Sequence, residues 1–244
     1  MKKIVSYPLS IIYYLLLGIT LVTFDIIQRI ALLFGYRPHK KSVDILNFFL
    51  LLNPRVLGTR FKVEDNCKVP INTPVLIVSN HQSMYEISLI IWHLRRYHPK
   101  FISKKSLGRG IPSVSYNLRK GGSILIDRKN KEESLEKMID FTQYLMENKR
   151  GGVIFPEGTR SRDGSLKPFK IGGLNTLIPN MKGAYVIPIS VSNSWKLQSG
   201  SPFPLALGVK VKMKIHDGIL IGDEDPVELI HRLEKIIDKG IEKS

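Results

Sequence analysis

Apolar residues follow three rhythms along this chain, and each rhythm predicts a different kind of element. From Ile4 to Phe24 there are 21 positions without a charge, close to the ~20 that a helix needs to cross the hydrocarbon of a bilayer. From Asp25 to Tyr36 the apolar residues thin to Ile26, Ile27, Ile30, Leu33 and Phe34 on a helical period, the mark of an amphipathic helix at an interface. Crossing the membrane and lying flat on it are both compatible with this pattern. A further run, Ile45 to Leu52, is too brief to span and predicts a core or interfacial helix.

Beyond residue 74 the rhythm changes to short apolar runs of strand length: Val75 to Ser79, Phe101 to Ser103, Ser123 to Ile126, Val153 to Phe155, Tyr185 to Ser190 and Val209 to Ile215. Helix-period stretches separate them. Residues 131–148 place Leu135, Met138, Ile139, Thr142, Leu145 and Met146 on one face, with acids early and bases at the end, as the helix dipole favours. Near the C-terminus, Asp225 and Pro226 read as N-cap and first helical residue, followed by a stripe of Val227, Ile230, Leu233, Ile237 and Ile241. Alternating elements of this kind predict an α/β fold with a mixed, largely buried sheet flanked by helices, preceded by a helical membrane-associating element. The chain divides accordingly into membrane-anchoring helices over 1–62 and a catalytic domain over 63–244, because the loops at 64–74 and 196–206 are too short to be domain linkers.

Charge narrows the choice of partners. Lys and Arg number 37 against 21 acids, a net +16, which favours anionic partners such as phospholipid headgroups, phosphorylated substrates or acyl carriers. No RNP-type aromatic and basic motif is present, so nucleic acid is not expected. Residues 25–62 carry seven Lys or Arg against two Asp, which places the globular part on the cytoplasmic face of the inner or plasma membrane. The N-terminal run lacks a small-x-small cleavage site and is expected to stay attached. In 209–215 apolar residues alternate with Lys210, Lys212 and Lys214, read as a charged edge strand that resists aggregation, with contact to anionic lipid as the alternative. A lone cysteine, Cys67, excludes a disulfide framework, and the six histidines show no zinc-ligand spacing.

Two motifs carry the chemistry. Asn80-His81-Gln82-Ser83-Met84-Tyr85-Glu86 follows a strand and opens a helix. On one continuous helix His81 and Glu86 would stand about 140° apart, so they meet only if His81 lies in the turn and Glu86 reaches back. A histidine beside a carboxylate can take a hydroxyl proton at neutral pH while the carboxylate fixes its tautomer. Phe155-Pro156-Glu157-Gly158-Thr159-Arg160 follows another strand, with a tight turn at Gly158, a planar guanidinium at Arg160 suited to phosphate, and a carboxylate at Glu157 able to accept from a glycerol hydroxyl or from Arg160. Without further context, the first motif also reads as helix-capping polar groups and the second as a solvated turn.

Together the two blocks resemble the glycerolipid acyltransferase family that includes the bacterial 1-acylglycerol-3-phosphate acyltransferases. One departure is Glu86 where most members carry Asp. The resemblance implies His81 as general base, Glu86 as its partner, and Glu157, Gly158, Thr159 and Arg160 as binders of the glycerophosphate acceptor. Gly122-Ser123-Ile124-Leu125-Ile126-Asp127-Arg128 resembles a second family block whose Arg128 helps hold the phosphate, and Val186-Ile187-Pro188-Ile189-Ser190 resembles a fourth, on the acyl side. Lys104 falls where the family places a phosphate lysine, although Ser106 replaces the usual acid and leaves Lys105 as a competing match. The implied activity moves a fatty acyl group from acyl-CoA or acyl-carrier protein to the 2-hydroxyl of lysophosphatidic acid, giving phosphatidic acid, with no metal and no cofactor beyond the co-substrate. Alternatives are another lysophospholipid acceptor, or a non-catalytic basic protein of the membrane surface.

Overall fold

The computed structural model describes residues 2–127, 129–198 and 202–242. Two helices lead, α1 (Lys2–Leu33) and α2 (Tyr36–Leu52), followed by β1 (Arg60–Asp65), β2 (Val75–Ser79), α3 (Tyr85–His93), β3 (Lys100–Lys104), α4 (Val114–Lys120) and β4 (Ile124–Ile126). Then come α5 (Lys131–Asn148), β5 (Gly151–Ile154), α6 (Ile171–Leu177), β6 (Tyr185–Ser192), β7 (Lys210–Ile215), β8 (Ile219–Leu220) and α7 (Pro226–Gly240). The strands form one sheet in the order β1-β7-β6-β2-β5-β3-β4, with β8 beside β6. Pairing is parallel from β6 through β4 and between β1 and β7, and antiparallel where β6 meets β7 and β8. The fold is therefore mixed α/β, as the rhythm of apolar runs predicts.

Each face of the sheet carries its own core. On one side Tyr13, Val43, Leu89 and Phe101 join the inward residues of the strands, so α1 to α4 lie there. On the other, Phe141, Leu145, Leu174, Leu229, Leu233 and Ile237 pack α5, α6 and α7. All five residues of β2 are buried, which is why that strand reads as an unbroken apolar run. Asn130 caps α5 by accepting from the Glu133 N–H, and Asp225 caps α7 by accepting from the Val227 N–H. On α5 the buried face is rotated from the periodicity reading: Ile139 is 46% exposed and Phe141 is 2% exposed.

The comb of lysines is not at a sheet edge. β7 is paired on both sides and β1 is the edge strand, which corrects the edge-protection reading of 209–215. β1 was not legible beforehand because Phe61 and Val63, its only apolar residues, are just partly buried, and it joins positions on both sides of residue 62 to the sheet.

α1 is built with its apolar side outward. Ile4, Ile11, Leu15, Ile19, Val22 and Ile26 are exposed, while Ser6, Ser10 and Gln28 are buried against the domain. The helix is long and apolar enough to cross a membrane by length and composition.

Lys100, on β3, is 6% exposed, with its ammonium 5.0 Å from the Tyr36 ring centroid. Burial, followed by repulsion from Arg150 and Lys40, pushes it down from 10.5 to about 7, offset in part by Asp44. The folded chain thus binds fewer protons here than the unfolded one, so this group penalises folding most below its folded pKa and progressively less as pH climbs toward the unfolded value. Lys100→Met is expected to raise Tm more at about pH 6 than at about pH 9. Equal gains at both pH values would show that the ammonium is not desolvated.

Candidate active site

The turn after β2 and the turn after β5 meet at the C-terminal ends of two adjacent parallel strands, which is where open α/β sheets commonly place ligands. His81 sits in the first turn and Glu86 in the first turn of α3, so the carboxylate reaches back as the spacing requires. The His81 Nδ1 to Glu86 Oε1 distance is 2.8 Å. Glu86 is fully buried, and its oxygens are saturated. Oε1 also accepts from the Gln82 and Ser83 N–H groups at 2.6 and 2.7 Å, and Oε2 accepts from the Ser83 and Ser194 hydroxyls at 2.5 and 3.0 Å. Burial pushes the Glu86 carboxyl up, but hydrogen bonds from His81 and Ser83, with electrostatic attraction to the His81 ring, outweigh it and hold it below the usual range. An ionised carboxylate can only accept, so Nδ1 carries the ring proton and Nε2 holds the lone pair. The extra methylene of Glu relative to Asp is absorbed by placing the carboxylate over the N–H groups that precede α3.

Glu157 binds the two motifs together. It is 2% exposed, and its oxygens accept from the backbone N–H of His81 at 2.5 Å and of Lys167 at 2.9 Å. The return contact is the Ser161 N–H donating to the His81 carbonyl at 2.7 Å. Burial pushes the Glu157 carboxyl up, with the two N–H donors opposing it. The anticipated Glu157 to Arg160 pair is absent among the described residues. The Phe155 ring stacks on His81 with centroids 4.2 Å apart, which fixes the imidazole plane from the far side. Gly158 has φ +69°, a left-handed turn that lets the chain pass beside Lys170.

His81, Phe155 and Gly158 line a groove of about 1200 Å³. His81, Gly158, Thr159, Arg160 and Lys104 all border it, whereas Lys105 does not, which separates the two lysines the sequence left competing. Arg160 is exposed, and its guanidinium has no carboxylate partner among the described residues. Arg128 lies outside the described residues. Ile102, Ile126, Met138 and Ile154 supply an apolar wall.

Several participants were not foreseen. Lys167 and Lys170 add cations to the groove, and Lys167 Nζ donates to the Arg160 carbonyl at 2.7 Å. Asn80 exchanges two hydrogen bonds with the backbone of Val191, and Gln82 accepts from the Ser194 N–H, so the end of β6 is pinned to the His81 turn. A lone serine 108 positions from Glu86 offers no local signal. The two lysines, in a loop with no regular pattern, offered only their charge.

An acyltransferase family model matches residues 60–192, more than half of the chain. The chain belongs to this acyltransferase family. Among curated relatives, this acyltransferase is 36% identical over 131 residues to the 1-acyl-sn-glycerol-3-phosphate acyltransferase of Helicobacter pylori, covering 52% of each chain. It is 28% identical over 153 residues to the alpha form from Ovis aries, covering 63% of this chain and 52% of that one. The chain spans about half the length of the curated relatives it matches. The crystal structure of the 1-acyl-sn-glycerophosphate (LPA) acyltransferase from Thermotoga maritima superposes with a TM-score of 0.81 at 24% identity, covering 98% of this acyltransferase and 96% of that chain, a likeness of fold.

Proposed function

We propose that this acyltransferase moves a fatty acyl group from a thioester donor, acyl-CoA or acyl-carrier protein, to the 2-hydroxyl of 1-acylglycerol-3-phosphate, forming phosphatidic acid in phospholipid biosynthesis. The observation that carries the reading is an imidazole held through Nδ1 by a buried carboxylate, on a groove with an apolar wall and a cationic rim. His81 Nε2 takes the proton as the hydroxyl oxygen attacks the thioester carbonyl. The tetrahedral intermediate collapses with cleavage of the C–S bond, and the imidazolium returns the proton to the departing thiolate. Arg160, Lys104, Lys167 and Lys170 surround the acceptor phosphate, with Arg128 assigned there by family position. The resemblance put Glu157 in contact with the acceptor; its two backbone contacts support a positioning role instead. No step needs a metal or a further cofactor.

How α1 is held supports one membrane arrangement. It is tied to the domain along its length by Leu205 N–H to Ser10, Tyr14 to the Pro202 carbonyl, Asn53 to Thr20, and Gln28 to Ser113. A helix docked this way lies in the plane of the bilayer surface with its apolar side in lipid, seating the groove at the cytoplasmic face where its substrates reside. Residues 1–62 then serve as the anchoring unit and 63–244 as the catalytic one.

The test is thiol release from each donor with lysophosphatidic acid, other lysophospholipids, or no acceptor. Release dependent on lysophosphatidic acid supports the reading, and preference for another acceptor replaces it. Arg160→Ala is expected to raise the acceptor KM by about tenfold or more, the loss of a charge-assisted contact worth ~1.5–3 kcal/mol. An unchanged KM would remove Arg160 from the phosphate site.

A further inference from the structure

β1 and β7 bring together cations that lie far apart in the chain. Their parallel register sets Arg60 beside Lys210, Lys62 beside Lys212 and Glu64 beside Lys214. Neighbouring strands lie ~4.8 Å apart, so like charges stand opposite one another at a cost to the sheet. The alternate residues Phe61, Val63, Val211, Met213 and Ile215 point into the core that holds α1 and α2. The cations therefore occupy the opposite face, that of α7, where Lys212 also pairs with Glu242. Lys62 pairs with Glu64 at 3.2 Å, and the five cations stand beside two carboxylates on a face where Arg60, Lys62 and Lys210 are exposed.

This platform runs up to the site. Ser79 is level with Ile189 of β6, and Lys212 is level with Ser192, three residues further on, beside the turn that holds His81. β7 and β1 stand two and three strands from β2, roughly 10–15 Å away. The 3₁₀ turn Ser194–Gln198 contacts β7 and buries Leu197 in the core on the α1 side, with Trp195 lining the groove and the Lys196 ammonium 5.6 Å from the Trp195 ring centroid. A membrane does not account for the platform, because the apolar side of α1 lies on the other face of the sheet.

We propose that the β1–β7 platform is the docking surface for an acidic acyl-carrier protein, which delivers its thioester into the groove on a flexible arm. The proposal rests on the acyltransferase reading above and assigns the donor's protein a place on this chain. The complementary charges steer encounter, so the contact weakens as salt rises and the Debye length falls from ~10 Å at 0.1 M to ~3 Å at 1 M. A free acyl-CoA, which needs only the groove, does not use the platform.

The experiment compares KM for one acyl chain presented on acyl-carrier protein and on coenzyme A, in the full chain and in Lys62→Glu/Lys210→Glu/Lys212→Glu, with Tm measured for both proteins. The expected result is a rise in KM on the order of tenfold for the carrier-borne donor, less than about twofold for acyl-CoA, and an unchanged Tm. The Lys→Gln triple variant should fall between the two. Equal changes for both donors, or no change for either, would overturn the platform. So would loss of binding to phosphatidylglycerol vesicles with both KM values intact, which would make the platform a lipid contact. Wild-type transfer from acyl-CoA alone overturns this inference and leaves the acyltransferase reading standing, whereas transfer from neither donor overturns both.

Discussion

His81→Ala is expected to lower kcat by ~10²- to 10⁴-fold with Tm close to wild type. Among the described residues, the His81 imidazole is the group on the groove whose lone pair is oriented by a buried, saturated carboxylate. Removing it leaves binding and positioning but no acceptor for the hydroxyl proton. Its loss also frees a single acceptor position on Glu86, which keeps four other donors, so the carboxylate remains satisfied and the fold has little reason to suffer. Single-turnover thiol release with saturating acceptor, set beside thermal melts, separates the two effects. Wild-type turnover by the variant would remove His81 as base. A large drop in Tm would make it a structural residue.

Glu157→Gln is expected to lower kcat by about 10- to 100-fold and to lower Tm, with the acceptor KM within about threefold of wild type. A buried carboxylate accepting two backbone N–H groups contributes ~1.5–3 kcal/mol through each, and an amide offers only one acceptor, turning its NH₂ toward a donor. The turn carrying His81 is then held less firmly to the turn carrying Arg160, through the Ser161 N–H to the His81 carbonyl. The base shifts while Arg160 and Lys104, which make no hydrogen bond to Glu157 among the described residues, stay in place. If instead the acceptor KM rises while kcat and Tm hold, Glu157 contacts the acceptor as the family resemblance implied.

The two motifs were legible because each is local: a turn between a strand and a helix or loop that sequence spacing alone can describe. The spacing of His81 and Glu86 implies their pairing, because five residues on one helix would keep them apart, leaving a single arrangement in which they touch. What tied the motifs to each other was not legible. Glu157 lies 76 residues from His81, so its bond to the His81 N–H has no counterpart in local spacing, where Arg160 or a substrate hydroxyl was the nearer partner. Ser194 was missed for the same reason, since its role comes from strand order, and parallel neighbours in a sheet are seldom neighbours in sequence.

The sequence by itself determined the strands β2 to β7, the cap of α7, the His81 and Glu86 pairing and the guanidinium at Arg160, since each depends on period or spacing over a few residues. Tertiary structure alone decided three further matters. It turned the apolar side of α1 outward and its serines and Gln28 inward, because which side of a uniformly apolar helix meets lipid depends on what the other side docks against. It moved the lysine comb from an edge to an interior strand by adding β1 beside it. It also made Glu157 a clamp, because a buried carboxylate must be satisfied by whichever donors the fold brings to it, and here those are two backbone N–H groups from different turns.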